Sequence, residues 1–175
     1  KNYASNNTLS NLNLFSNAYY GIEILDYSSN NKVTNFSFAN SDYKGIVIQN
    51  NSLNNLFING RINNNPYGDI EVFLNSVNNT FLNVSYNNSN VYENVSSDSQ
   101  LIRKWYYQAN ISYQGKAVND SDLSAYNITG FPSGWMFNLT SNSSGFTNIT
   151  TIIDYINTGT RNYYSNYTIE TTNVS

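Results

Sequence analysis

Glu23 and Glu71 are the residues of this chain best spaced for chemistry. They share one column of a repeating pattern, two repeats apart, with Val47 between them. If successive repeats stack as neighbouring strands, two rises of about 4.8 Å place the carboxylates roughly 9–10 Å apart. That is the edge of the separation used by inverting glycosidases. Asp26, Asp42, Asp69 and Lys44 stand nearby in sequence. The rest of the usual apparatus is missing. Without histidine there is no histidine-based triad, dyad or metal site, and without cysteine no thiolate site or disulfide framework. No glycine-rich phosphate loop is present. Asn119-Asp120-Ser121-Asp122 could offer oxygens to calcium, but it lacks the glycine and closing glutamate of an EF-hand loop and reads as a turn. The expectation is that Glu23, Glu71 and their neighbours are scattered solvating charges. Neither catalysis, nor a bound metal, nor a cofactor is expected.

The second chemical signal is Asn-x-Ser/Thr, the acceptor motif for N-linked glycans. It starts at Asn6, Asn35, Asn50, Asn78, Asn83, Asn87, Asn94, Asn110, Asn119, Asn127, Asn138, Asn142, Asn148, Asn166 and Asn173. Before Asn110 the frequency is near chance for so Asn-rich a stretch. From Asn110 onward, only Asn157 and Asn162 fail to start one, so eight of ten asparagines do. With Ser and Thr at roughly 30% there, chance would give about three. Dense acceptors imply export and a glycan coat.

Composition narrows the class further. The chain has 175 residues, a net charge of −3 and only 11% charged residues, against about a quarter in an ordinary globular protein. No electrostatic footprint for nucleic acid exists. No apolar run approaches the roughly 20 residues that span a bilayer. Regularly placed Ile, Leu, Val, Phe and Tyr argue against disorder. The chain opens on Lys1 rather than Met, so the expectation is a processed form or a piece of something longer.

The elements that would position these residues are legible as an internal repeat. Asn pairs recur at one constant step, at 6–7, 30–31, 54–55 and 78–79. Asn11, Asn35, Asn59 and Asn83 keep that step, as do Leu9, Val33, Phe57 and Phe81, and Tyr19, Tyr43 and Tyr67. Within a unit the apolar residues alternate, as at Ile22 and Ile24, which is the period of a half-buried strand. Short strands of this kind cannot bury a face alone, but stacked as coils they can. Asparagine suits the bends because it tolerates left-handed backbone and its amide can bond the next coil. Asn35 and Asn83 fall in a ladder column. If that ladder is buried, their motifs stay unmodified.

The pattern NN-x-φ-x-N-φ-x-φ followed by Tyr-x-Gly-Ile-x-Ile resembles the right-handed parallel β-helix repeat of pectate-lyase-like proteins over about residues 5–95. Similar Asn-rich repeats occur in secreted archaeal and bacterial proteins. The resemblance implies an all-β fold: a short right-handed parallel β-helix of about four 24-residue coils. It implies no activity, since that fold hosts lyases, hydrolases and scaffolds. In the polysaccharide-cleaving members, clusters of Asp, or Asp with Lys and Arg, lie on one outer face.

Near Val95 the rhythm stops, and SSDSQ at 96–100 is a plausible seam. The chain divides on this reading into β-helix repeats at 1–97 and a small antiparallel β-sandwich at 98–175. Alternating runs at about 103–113, 122–128, 134–140, 148–156 and 163–171 are separated by turn signals such as Gln114-Gly115-Lys116 and Asn157-Thr158-Gly159. Their order is similar to Ig-like or carboxypeptidase-regulatory-type modules of surface proteins. Trp105 and Trp135 are expected as core anchors, with sugar stacking the sharper alternative.

Together these readings point to an extracellular, N-glycosylated structural subunit of a filament or surface layer (S-layer) of archaeal type. Its expected acceptors are Asn6, Asn50, Asn78, Asn87, Asn94, Asn110, Asn119, Asn127, Asn138, Asn142, Asn148, Asn166 and Asn173. A parallel β-helix leaves open backbone at an uncapped end. The first recognisable coil begins almost at Lys1 with nothing to cover it, so removed upstream sequence or a neighbouring molecule is expected there. The expected partners are therefore other copies of the chain, held head-to-tail or by strand exchange, with covalent glycans and extracellular polysaccharide. A carbohydrate-binding or adhesive module with stacking tyrosines is one alternative. A β-helix polysaccharide lyase or hydrolase centred on Glu23 and Glu71 is another.

Overall fold

The computed structural model describes residues 3–89, 91–127 and 134–173. They are all-β, with no helix among them, and they divide into two compact units. The first comprises the chain up to Lys104 together with Ile156–Arg161, and the second Trp105–Tyr155 with the residues from Asn162 onward.

The first unit is a parallel β-solenoid of about four turns. Its coils run β1 (Thr8–Phe15) and β2 (Tyr20–Ile24), β3 (Lys32–Ala39) and β4 (Lys44–Ile48), β5 (Leu56–Asn63) and β6 (Ile70–Val72), β7 (Asn79–Ser85) and β8 (Glu93–Val95). A further strand, β9 (Leu101–Tyr107), pairs in parallel with β7. One sheet starts β1-β3-β5-β7-β9, the first five of its seven strands, and the other follows the order β2-β4-β6-β8. The register is the sequence repeat itself: Leu9 faces Val33, Val33 faces Phe57 and Phe57 faces Phe81, each one repeat further along.

Each coil turns its corners on left-handed backbone. Asn6, Asn30, Asn54 and Asn78 have φ of 57–59°, and Asn11, Asn35, Asn59 and Asn83 have φ of 52–56°. For most residues that conformation costs roughly 1–2 kcal/mol, which Asn largely escapes. The second Asn of each pair turns inward. Asn31, Asn55 and Asn79 are buried, and each Oδ1 accepts from the backbone N and the Nδ2 of the Asn one coil before, at 2.9–3.1 Å. Each Nδ2 also donates to a backbone carbonyl at the bend, Ala4, Ser28 and Ser52 in turn. A serine column does the same work beside it: Ser52 N donates to Ser76 Oγ and Ser76 N to Ser99 Oγ. The bends are thus satisfied by side chains of the neighbouring coil, as buried backbone groups must be.

Between the ladders the apolar columns form the core. Phe57 and Phe81 stack face to face with centroids 4.7 Å apart, and Ile46, Ile48, Ile70 and Val72 are fully buried. Gly60 is obligatory here: a Cβ would run into the ring of Phe36, which fills that space.

Stacking continues through the expected seam at 96–100. Ser99 completes the serine ladder, Leu101 is fully buried, and Arg103 takes the place of Phe81 one coil on. There the guanidinium lies over the ring of Tyr86 at 4.7 Å. The rhythm fades because the last step is shorter. Ile70 pairs with Glu93, where the repeat would bring Asn94, and Asn79 pairs with Leu101, where it would bring Arg103.

The second unit consists of antiparallel elements. Gln114 and Gly115, with φ of 48° and 77°, make the two-residue turn between β10 (Ser112–Tyr113) and β11 (Lys116–Ala117). β12 (Ser121–Asn127), β13 (Gly134–Thr140) and β16 (Tyr167–Asn173) form a three-stranded sheet with β12 central. The intervening β14 (Thr150–Asn157) and β15 (Arg161–Tyr163) each begin or end outside this unit. Leu123, Ala125 and Tyr155 are buried, and Tyr163 meets Tyr155 edge-on at 5.4 Å. Trp105 is half-buried, and its indole donates to Asp154 at 3.2 Å. The side chain of Trp135 lies outside the described residues.

Candidate functional site

The parallel register places Glu23, Val47 and Glu71 in one row on β2, β4 and β6, turned away from the core. The two carboxylates therefore stand two rungs apart, roughly 9–10 Å. Each is already engaged. Gln49 Nε2 donates to Glu23 at 2.7 Å, while Glu71 accepts from Lys44 Nζ at 2.5 Å and Asn94 Nδ2 at 3.0 Å. Val47, 1% exposed, fills the space between them. What results is a short polar strip along the outer face of the β2-β4-β6-β8 sheet.

The other charges that neighbour this strip in sequence go elsewhere. Asp26 sits in the bend after β2 and accepts from Asn50 at 2.5 Å, and Asp42 is exposed in the bend before β4. Asp69 is inside. It is 1% exposed and accepts from Asn65 Nδ2 and Asn87 N, both at 2.9 Å, and burial pushes its carboxyl above the ordinary range despite those bonds. Its position is that of a corner brace. The inward turn follows from the repeat, since Asp69 holds the column of Gly21 and Gly45, both of which face the core.

Tyrosines border the strip. Tyr19, Tyr20, Tyr43 and Tyr67 form a chain of ring contacts at 6.4, 5.8 and 4.9 Å. In the bends before β1 and after β2, Tyr3 and Tyr27 stack at 5.6 Å and 4°. Tyr19, Tyr27, Tyr43 and Tyr67 are 72, 52, 40 and 62% exposed. The repeat spacing brings Tyr3 onto Tyr27 and Tyr43 onto Tyr67.

The glycan-acceptor asparagines separate by exposure. Asn6, Asn78, Asn87, Asn94, Asn110, Asn119, Asn138, Asn142, Asn148 and Asn166 are exposed; beside Asn78, its neighbour Asn79 takes the buried place in the ladder. Asn127 is fully buried in β12, so the folded chain gives no access to its amide. Asn50 is half-buried with its amide on Asp26, and its partner Ser52 is buried with the hydroxyl on Gln49 O. Asn173 ends β16, and its side chain lies outside the described residues. Asn35 and Asn83 are exposed: the buried ladder belongs to Asn31, Asn55 and Asn79, so burial does not shield them.

Asn119-Asp120-Ser121-Asp122 is a turn whose oxygens are taken up locally. Asp120 has φ of 53° and accepts from Asn119, and Asp122 accepts from Thr140 at 2.9 Å. Among the described residues no group of three or more His, Cys, Asp or Glu gathers as a metal site would require. No helix there is long and apolar enough to cross a membrane.

Two features escaped sequence reading. The serine column was visible at Ser28, Ser52 and Ser76 but falls among many serines. Glu93 had no local signal at all. It is 2% exposed and accepts from Asn157 Nδ2 at 2.6 Å and Arg161 Nε at 2.9 Å, both far along the chain. Those contacts fasten the Ile156–Arg161 excursion to the solenoid.

The fold and site thus define an all-β protein with a four-turn parallel solenoid and antiparallel sheets. Comparison with protein-family models, with curated proteins and with solved structures finds no match for this chain.

Proposed function

We propose that this chain is a structural subunit of an extracellular filament or surface layer, N-glycosylated and without catalytic activity of its own. Its repeats are read as the right-handed, pectate-lyase-like type, and its second half as an Ig-like or carboxypeptidase-regulatory-like sandwich of an archaeal surface glycoprotein. The observation that carries the proposal is the unbroken polar ladder. Asn and Ser side chains hold coil to coil through neutral hydrogen bonds.

The first coil supplies the assembly contact. Among the described residues, β1 and β2 each pair on one side only. Leu9 is 41% exposed where Val33, Phe57 and Phe81 of its column are buried. A cavity of about 520 Å³ opens beside it, lined by Ala4, Leu9, Ile22, Ile24 and Val33 among others. Such an edge is a template for further strands, and on this reading a strand or coil of a neighbouring subunit occupies it.

Sedimentation of the native protein, paired with glycopeptide mapping, tests the reading. Large ordered species carrying glycans at the exposed acceptors support it. A bare monomer that binds or cleaves polysaccharide contradicts it and favours the adhesive or enzymatic alternatives. In that case Glu23→Gln with Glu71→Gln separates the two, because only cleavage depends on those carboxylates.

A further inference from the structure

The glycan-acceptor motifs differ from one another in a single hydrogen bond. In Asn87-Asn88-Ser89 the backbone N of Ser89 donates to Asn87 Oδ1 at 3.1 Å, and in Asn142-Ser143-Ser144 that of Ser144 donates to Asn142 Oδ1 at 2.9 Å. Each is an Asx turn, in which an asparagine side chain bonds its own backbone two residues on. The bond joins the two residues that the motif names, the acceptor asparagine and the hydroxyl residue. Elsewhere that N–H is committed to a neighbouring coil or strand. The backbone N of Ser52 and Thr80 donates to Ser76 Oγ and Asn55 O, and that of Ser96 and Ser121 to Val72 O and Ser141 Oγ. The hydroxyl residues of the motifs at Asn6, Asn110, Asn138, Asn148 and Asn166 lie inside strands.

Both turns are pinned by the fold. Asn87 N donates to the buried carboxylate of Asp69 at 2.9 Å. Asn142 N donates to Phe146 O, Gly145 N donates back to Asn142 O, and Phe146 N adds a second bond to Asn142 Oδ1. Asn87, Ser89, Asn142, Ser143 and Ser144 are all exposed. The backbone takes up Oδ1 in each turn, and neither Nδ2 donates to any described group. Other acceptor amides are spoken for: Nδ2 of Asn50, Asn94 and Asn119 donates to Asp26, Glu71 and Asp120.

We propose that Asn87 and Asn142 are the acceptors that the folded chain presents to an oligosaccharyltransferase, one in each compact unit, and that folding withholds the motifs held in strands or by bound amides. The inference rests on the glycosylated reading above and names its sites. In the transfer, Nδ2 bonds to the anomeric carbon of a lipid-phosphate-linked oligosaccharide. The bond from that carbon to the phosphate oxygen breaks, the lipid phosphate leaves with the electron pair, and an amide proton passes to a base of the transferase. The enzyme must reach amide and hydroxyl residue together. In a strand the two stand about 6.6–6.8 Å apart along the chain, with the backbone between them bonded to its neighbours. The Asx turn draws them together and keeps that segment out of any ladder. Surface loops are where such motifs act as acceptors, and positioning of the reacting group governs the rate.

The test uses the folded, unglycosylated full chain and a transferase that modifies short peptides carrying the same motifs, supplied with its lipid-linked donor. Intact mass reads the number of glycans, and glycopeptide mapping reads their positions. The folded chain should gain two glycans, Asn87→Gln or Asn142→Gln one, and the double variant none. Ser89→Ala and Ser144→Ala keep the N–H of the turn but remove the hydroxyl, and each should also cost one glycan. Retained β-sheet circular dichroism shows that each variant folds. Asn94 and Asn119 should lag by at least about tenfold in the folded chain, because transfer depends on positioning. Equal rates at Asn94 and Asn119 would overturn the proposal. So would a folded chain that stays bare at Asn87 and Asn142 while the peptides are modified. On the native protein, glycans at other acceptors with Asn87 and Asn142 bare would overturn it and leave the glycosylated reading intact. A native protein without any glycan would remove both.

Discussion

Asn31 donates both its backbone N and its Nδ2 to Oδ1 of Asn55, at 3.1 and 3.0 Å, and all of these atoms are buried. Asn55→Ala removes the acceptor and strands two donors of the preceding coil, along with the carbonyl of Ser28 that Asn55 serves. A loss of about 3 kcal/mol is expected. Asn59→Ala, in the exposed ladder, should cost less, about 1–2 kcal/mol for its left-handed backbone. Urea denaturation of the two variants checks the contrast; equal losses would remove the buried ladder from its structural role.

Phe36 and Gly60 form a complementary pair, ring against missing side chain. Gly60→Ala should destabilise by about 1–3 kcal/mol through overpacking. Trimming the ring with Phe36→Leu should recover part of that loss. A double-mutant cycle reads the coupling, and strict additivity would show that the ring moves aside freely.

Arg161 reaches the carboxylate of Glu93, whose side chain is fully buried. Replacing Arg161 with Met removes the charge that faces a buried carboxylate, and should cost about 3–5 kcal/mol. Adding Glu93→Gln should return much of it, because a neutral amide needs no counter-charge and still accepts from Asn157 Nδ2. The denaturation midpoints of the single and double variants decide this, with no recovery in the double being the contrary result.

Asp69 and Asp98 respond to acid in opposite senses. Burial raises Asp69 above 3.8, so protonation favours the folded chain. Its contribution is fully present below 3.8 and is lost as pH rises through the folded value. Hydrogen bonds from Ser96 and then Ser99 lower Asp98, so its contribution is present above 3.8 and is lost as pH falls through its folded value. Asp69→Asn should therefore flatten the gain in stability on acidification above pH 3.8, and Asp98→Asn the loss below it. Denaturation midpoints followed against pH would contradict this if either variant left its own window unchanged.

The constant step of the repeat made the solenoid legible before any coordinates, because parallel in-register stacking sets like on like and the columns survive in the sequence. Tyr19, Tyr43 and Tyr67 or Ile22, Ile46 and Ile70 needed only counting. Which Asn of each pair turns inward was not legible. Asn30 and Asn31 are the same residue type, and only the left-handed φ of the first sends the second into the core. The end of the stack was hidden for another reason. A shortened last step and an arginine in a phenylalanine column erase the pattern while preserving the pairing. Of the candidate site, the Glu23–Val47–Glu71 row was visible from spacing. The inward turn of Asp69 and the distant partners of Glu93 depend on contacts that periodicity does not encode.

Cryo-electron microscopy of the native glycosylated protein tests the central claim most directly. The account predicts ordered filaments or layers in which density from a neighbouring subunit lies against β1 and covers Leu9. Dispersed particles with Leu9 and the β1 edge open to solvent would contradict it.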